Sequence, residues 1–292
     1  MSLSQPFNPK VHPQAGVFDP NVFEGSLMDP TENPEQANQI VRELTSPDVP
    51  LMPSLPSDKM FLPGGYVDQD GELHQEAHIR EINGADEEAM ARELRNPNVS
   101  VAKVVDLLLK RCVLEVGPHR ATPQILGEML AGDRASMMLA IRVLTFGSDW
   151  EVEEFPCRLC GKNFGTVVEL DSIGEKRMDN PRVQEIDVRL RNNHTATVAL
   201  LDGASQMAMI GDGNRTGPEE ISIAIDRCLK RYDGKPVPLN GIAQTLSMAD
   251  RRAISTAMSE AQPGPKMEEV MVTCTECGQE ASYSISLLDL FR

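Results

Sequence analysis

Two short runs, FPCRLCGKNFG at 155–165 and VTCTECGQEASYS at 272–284, constrain this chain more than any other feature. Each reads Cys-x-x-Cys, glycine, polar residues, then an alternating pattern suited to a strand. A Cys-x-x-Cys turn directs two sulfurs at one point, and the glycine permits the tight reversal. One pair is half of a tetrahedral shell, so each run needs the other. Because more than a third of the chain separates Cys160 from Cys274, joining the pairs makes the intervening stretch an insertion in a small β unit. The pattern predicts Cys157, Cys160, Cys274 and Cys277 as the ligands of a structural zinc ion. Four protein sulfurs close the shell and leave no position for water or substrate. The competing use of the same residues is a reducible disulfide pair.

Bulk properties narrow the partners. With 28 basic against 44 acidic residues in 292, the net charge of −16 repels phosphate backbones and anionic lipid, which argues against nucleic acid and membrane as partners. No apolar run approaches the roughly 20 residues of a membrane span, and the opening MSLSQPFNPK lacks a signal-peptide layout. The expectation is a soluble chain kept in a cytoplasm. A zinc ribbon that binds nucleic acid is the rival reading from another functional class, and the charge and the 4% aromatic content count against it.

More than half of the 21 prolines fall at positions 1–63, too many missing donors for a sheet or long helix. Residues 1–60 therefore read as an extended arm, with one short helix in NPEQANQIVREL and with Phe7, Phe18 and Phe23 as candidate anchors on a partner. The same composition also describes a disordered linker. From Leu62 to Ile82 a hairpin is expected around Asp70-Gly71. A helical unit follows to residue 149, with Val101, Val104, Val105, Leu108, Cys112 and Val116 on one helical stripe up to Gly117-Pro118. Asp133 is expected to cap a helix that buries Met137, Met138, Ile141 and Leu144 and stops at Gly147.

After Trp150 the period changes to alternation: Phe164, Thr166, Val168 and Leu170, then IDVRL, TATVALL, EEVMVTC and ASYSISL, all read as strands. Two helices interrupt them. One runs through GPEEISIAIDRCLKRYDG with Lys230, Arg231 and Gly234 at its finish, and the other is SMADRRAISTAMSEA, capped by Ser247 and Asp250. The expected fold class is α+β: an N-terminal extended arm (1–60), a hairpin with a helical unit (61–149), and a zinc-ribbon-like antiparallel β unit (150–292) carrying a mixed α/β insertion at 173–265.

Other chemistry is weak. HQEAH at 74–78 lacks a glutamate directly after its first histidine, which a zinc-protease helix needs, and it reads as strand. GDGNRTG at 211–217 reads as a turn, Cys112 and Cys228 as core residues. No reactive constellation is legible, and the chain is not expected to be an enzyme.

Three segments in fixed order, LPSDKMFLPGG at 55–65, IREINGADEEAM at 79–90 and GDRASMMLAIRVLTFGSDW at 132–150, followed by the two knuckles, carry a likeness. Over roughly residues 54–292 the chain resembles the T4-type bacteriophage baseplate proteins, a family associated with the baseplate hub and tail assembly of contractile phages. The resemblance implies a structural role in a tail baseplate. Its partners would be other baseplate or hub proteins, with the tape measure or tail tube initiator as further candidates, and its location the virion, reached through the host cytoplasm. An assembly chaperone or scaffold absent from the mature virion is the alternative within the same system. No catalytic residues transfer.

Overall fold

A strand from Ser57–Val67 (β1) turns at Asp70 and Gly71 and returns as Leu73–Arg80 (β2), antiparallel as the Asp-Gly signal predicts. The computed structural model describes residues 57–95, 100–210, 215–237, 241–287 and 289–291, all within the unit Leu55–Arg292. The arm, its short helix and the anchors Phe7, Phe18 and Phe23 lie outside the described residues. Seven α-helices and five antiparallel sheets among the described residues make the chain α+β.

The first layer is a sheet in the order β1-β2-β3-β4, where β3 is Val113–Val116 and β4 is His119–Arg120. Gly84–Leu94 (α1), Val101–Cys112 (α2), Pro123–Glu128 (α3) and Ala131–Phe146 (α4) accompany it. Ser100 caps α2 by accepting from the Lys103 N–H, and Val104, Leu108, Leu109 and Cys112 pack with Leu62, Ala77, Ile79, Met137, Met138 and Ile141 in a first core. The helix stops at Cys112, short of the expected Val116. Val113–Val116 instead pairs with β2, where Val113 and Val116 enter the first core and the strand satisfies the edge of β2 that a further helical turn would leave unpaired.

Buried charge ties these elements together. Asp86, fully buried in the first turn of α1, receives Arg80 Nη1 at 2.6 Å, Arg111 Nε at 2.5 Å and the Asn83 N–H at 3.0 Å. Burial works against its negative charge, but Arg80, the Asn83 N–H and Arg111 outweigh that and hold the carboxyl down at about 2. Arg134, 1% exposed, donates to the Leu126 carbonyl at 2.6 Å and to Asp106 at 3.3 Å. Arg142 donates to the Leu290 carbonyl at 2.7 Å, fastening α4 to the C-terminal turn.

Asp133 does not cap α4 as expected. It sits inside the first turn, fully buried, and its Oδ1 accepts the Gly64 N–H at 2.7 Å where β1 bulges between Phe61 and Tyr66. Its Oδ2 has no hydrogen-bond partner among the described residues. Burial, opposed by the Gly64 N–H and assisted by Glu175, pushes this carboxyl from the ordinary 3.8 up to about 7. Between those values the native chain holds a proton that the unfolded chain has released, so the stability this group contributes falls as pH rises. Asp133→Asn keeps an acceptor for Gly64 and cannot ionise. Urea unfolding at about pH 5 and about pH 8 is expected to show a pH difference in the wild type larger than in the variant, by on the order of a few kcal/mol. Identical pH dependence in both proteins would refute the assignment.

The neighbouring residue of the same turn allows a close backbone approach. A Cβ on Gly132 would lie 1.5 Å from the Pro263 carbonyl oxygen, so only glycine lets α4 seat against that segment.

Two further cores follow. Asp149–Pro156 (β5) pairs with Asn163–Glu169 (β6), and near the C-terminus Val270–Thr273 (β13) pairs with Glu280–Tyr283 (β14). Phe155, Phe164, Val168, Leu170, Val270, Val272, Tyr283 and Ile285 form the second core between these hairpins. Between the hairpins in sequence lies a sheet ordered β11-β10-β9-β8, made of Glu185–Arg189 (β8), Thr195–Ala199 (β9), Leu229–Tyr232 (β10) and Lys235–Pro236 (β11). Gly203–Ile210 (α5), Gly217–Cys228 (α6) and Met248–Ala261 (α7) accompany it, and Val188, Ala196, Val198, Ile225, Ile254 and Met258 share the third core.

The strands Glu175–Lys176 (β7) and Gly264–Pro265 (β12) pair where this stretch leaves and rejoins the chain, forming a neck. Lys230, Arg231 and Gly234 do not end α6. They belong to β10 and to a hairpin turn in which Asp233 and Gly234 both have positive φ, because Leu229–Tyr232 fills the edge beside β9.

Candidate metal centre

Each Cys-x-x-Cys run folds into the same backbone knuckle at a hairpin tip. In the first, the Cys157 N–H donates to Lys162 O at 2.9 Å and the Gly161 N–H to Cys157 O at 3.0 Å. In the second, the Cys274 N–H donates to Gln279 O at 2.9 Å and the Gly278 N–H to Cys274 O at 2.8 Å. Gly161 and Gly278 occupy the left-handed region, with φ of 75° and 67°, which makes glycine the residue each reversal requires. The repeated sequence thus produces a repeated hydrogen-bond pattern.

The knuckles bring all four sulfurs together. Cys157 Sγ lies 3.8 Å from Cys277 Sγ and Cys160 Sγ lies 3.9 Å from Cys274 Sγ, and all four sulfurs fall within 4.8 Å of one another. A tetrahedron of thiolates around an ion with metal–sulfur bonds of about 2.3 Å has edges of about 3.8 Å, so the spacing fits a single metal ion. The same distances are far beyond a disulfide bond of about 2.05 Å, and all four cysteines are free.

Cys157 and Cys274 are buried, Cys277 is half-buried and Cys160 is exposed, so the cluster lies at the rim of the second core. Phe155 packs edge-on against Tyr283 at 4.5 Å between ring centres, and the Tyr283 hydroxyl accepts the Arg158 N–H at 3.1 Å, fixing the first knuckle to the second hairpin. Lys162 pairs with Glu276 across the two knuckles at 3.1 Å.

The sulfurs are unequal electrostatically. The Cys160 N–H, with that of Leu159, stabilises the Cys157 thiolate against burial and lowers its pKa to about 6. At Cys277 the Gln279 N–H favours the thiolate, but burial and the three neighbouring sulfurs outweigh it and push the group up to about 12. Four thiolates in so small a volume need a cation, and a divalent ion supplies that charge while displacing the thiol protons.

The other residues singled out in the sequence separate from this centre. Cys112 and Cys228 are buried core residues, with burial pushing their thiols up to about 12 and about 11. His74 and His78 lie on strand β2, where four residues span about 13 Å, so they cannot share an ion as the ends of a helical turn would. His78 faces Glu115 at 3.8 Å, whereas His74 meets Asp68 and His119, partners that no local pattern connects to it. Within the glycine-rich run at 211–217, residues 211–214 lie outside the described residues.

The chain matches no protein-family model, no curated protein and no solved structure. Among the described residues no helix is long and apolar enough to cross a membrane.

Proposed function

We propose that this chain is a structural, non-enzymatic subunit of a contractile phage tail baseplate, associated with the hub and pinned by a zinc ion on Cys157, Cys160, Cys274 and Cys277. The observation that carries the structural part is the closed set of four sulfurs joining two hairpins that lie far apart in sequence. Zinc suits it because a d¹⁰ ion takes four thiolates tetrahedrally without redox chemistry, and a saturated shell holds chain together instead of activating water.

The resemblance carried by LPSDKMFLPGG, IREINGADEEAM and GDRASMMLAIRVLTFGSDW supplies the baseplate part of the reading. Those segments contribute Gly64, Arg80, Asp86 and Asp133, which fasten helices to the first sheet, and Gly132, Arg134 and Arg142, which fasten α4 to the Pro263 segment, to neighbouring helices and to the C-terminal turn. A motif devoted to internal fastening is what a scaffold under mechanical stress needs. The arm of residues 1–60, with Phe7, Phe18 and Phe23, is the proposed contact with neighbouring baseplate or hub proteins.

Quantitative mass spectrometry of purified tails from the phage encoding this chain is expected to find it in fixed stoichiometry with the baseplate, and deletion of residues 1–53 to abolish incorporation. Absence from finished particles would replace the subunit reading with the assembly-chaperone reading. Normal incorporation of the truncated chain would rule out the arm as the contact.

A further inference from the structure

A second cluster of metal-binding side chains lies in the first sheet, apart from the sulfur centre. Asp68 follows β1, His74 lies on β2 and His119 on β4, so two hairpins contribute. The Asp68 carboxylate is oriented by its own turn: Oδ1 accepts the N–H groups of Asp70 at 2.9 Å and Glu72 at 2.8 Å. That leaves Oδ2 facing both imidazoles, with His74 Nε2 at 2.7 Å and His119 Nε2 at 3.3 Å. The two nitrogens and the oxygen all fall within 4.8 Å of one another.

The rings are held in place. His74 is sandwiched between Tyr66, whose ring is stacked at 6.4 Å, and Gly117, where an added Cβ would come within 2.6 Å of the imidazole. The His119 ring stands nearly perpendicular to that of His74, at 78° with centroids 5.1 Å apart, so the two Nε2 atoms converge on the carboxylate instead of stacking. Asp68 and His74 are 11% and 15% exposed, whereas His119 is 41% exposed and borders a cleft of about 260 Å³ together with Tyr66, Asp68, Gln69 and Thr122. The hydrogen bond from His74, followed by the Glu72 N–H, holds the Asp68 carboxyl well below the usual range, so it is an anion at neutral pH.

Two imidazole nitrogens and one carboxylate oxygen form a borderline donor set that suits first-row divalent transition ions; calcium and magnesium prefer all-oxygen shells. We infer that Asp68, His74 and His119 bind one such ion, with its remaining coordination positions open to the cleft. Binding exchanges two N–H···O contacts for three metal bonds and requires each histidine to carry its proton on Nδ1, leaving Nε2 as ligand. The site differs in kind from the sulfur centre: three protein ligands with open positions against four that close the shell.

Cobalt(II) distinguishes the two sites, because the sulfur centre yields a thiolate-to-cobalt charge-transfer band and an N,N,O site does not. Full-length wild type and His119→Ala would each be loaded with cobalt(II), freed of excess by gel filtration and assayed for bound metal. The expected result is one equivalent fewer in the variant with an unchanged charge-transfer band. Asp68→Asn should behave likewise, and it covers the case in which loss of His119 disturbs the fold. In the wild type, the imidazole resonances of His74 and His119 should broaden together on cobalt addition. Equal metal uptake by the wild type and both variants, or imidazole resonances unmoved by cobalt, would overturn the inference, and neither outcome depends on whether the sulfur centre is filled.

Discussion

Replacement of Cys274 with serine is expected to abolish zinc retention and the cooperative melting of the core beneath the knuckles. Cys274 is 1% exposed, and a serine hydroxyl there is a poor ligand in an apolar rim. The second core is built from two short hairpins, β5-β6 and β13-β14, joined by the packing of side chains such as Phe155 and Tyr283 and by the knuckles at their tips. Metal binding in small zinc units amounts to folding free energy, on the order of 10 kcal/mol, which exceeds what two such hairpins secure through packing alone. Elemental analysis of freshly reduced protein should give zinc bound to the wild type and lost from the variant, and near-ultraviolet circular dichroism of Tyr283 and Trp150 should lose its thermal transition. Freshly reduced wild type that carries no metal, together with a variant that melts as the wild type does, would sink the zinc assignment.

The second large effect is expected at Asp86. Its alanine variant leaves the Arg80 and Arg111 guanidinium groups facing a fully buried site without their carboxylate and removes the acceptor for the Asn83 N–H. Removing one partner of a buried ionic network typically costs about 3–5 kcal/mol, because the remaining charge stays desolvated. Chemical denaturation should show that loss, and Asp86→Asn should recover only part of it, since an amide offers one acceptor oxygen in place of two and carries no charge. A variant as stable as the wild type would mean that the arginines escape to solvent on their own.

What was legible in the sequence was local. The knuckles could be paired from sequence because each carries its own glycine, its own spacing and its own following strand, so the match needed no knowledge of the long stretch between. The alternation of Phe164 and Val168, the Asp70-Gly71 turn and the Ser247 cap of α7 also follow from rules that operate over a few residues. Where a segment could satisfy two rules, tertiary pairing decided. Val113–Val116 and Leu229–Tyr232 suit a helix or a strand equally, and each was taken by an open sheet edge. Asp133 has the chemistry of a cap but found Gly64, 69 residues away. The meeting of Asp68, His74 and His119 depends on sheet order, which no window of sequence contains.

The separation of the two knuckles also has a temporal side. On a ribosome adding about 5–20 residues each second, the stretch between Cys160 and Cys274 postpones the second pair by roughly 6 to 23 s. For that interval the first pair is an unaccompanied dithiol, open to oxidation or to exchange with other thiols. The finished site therefore depends on those thiols staying reduced until their partners emerge.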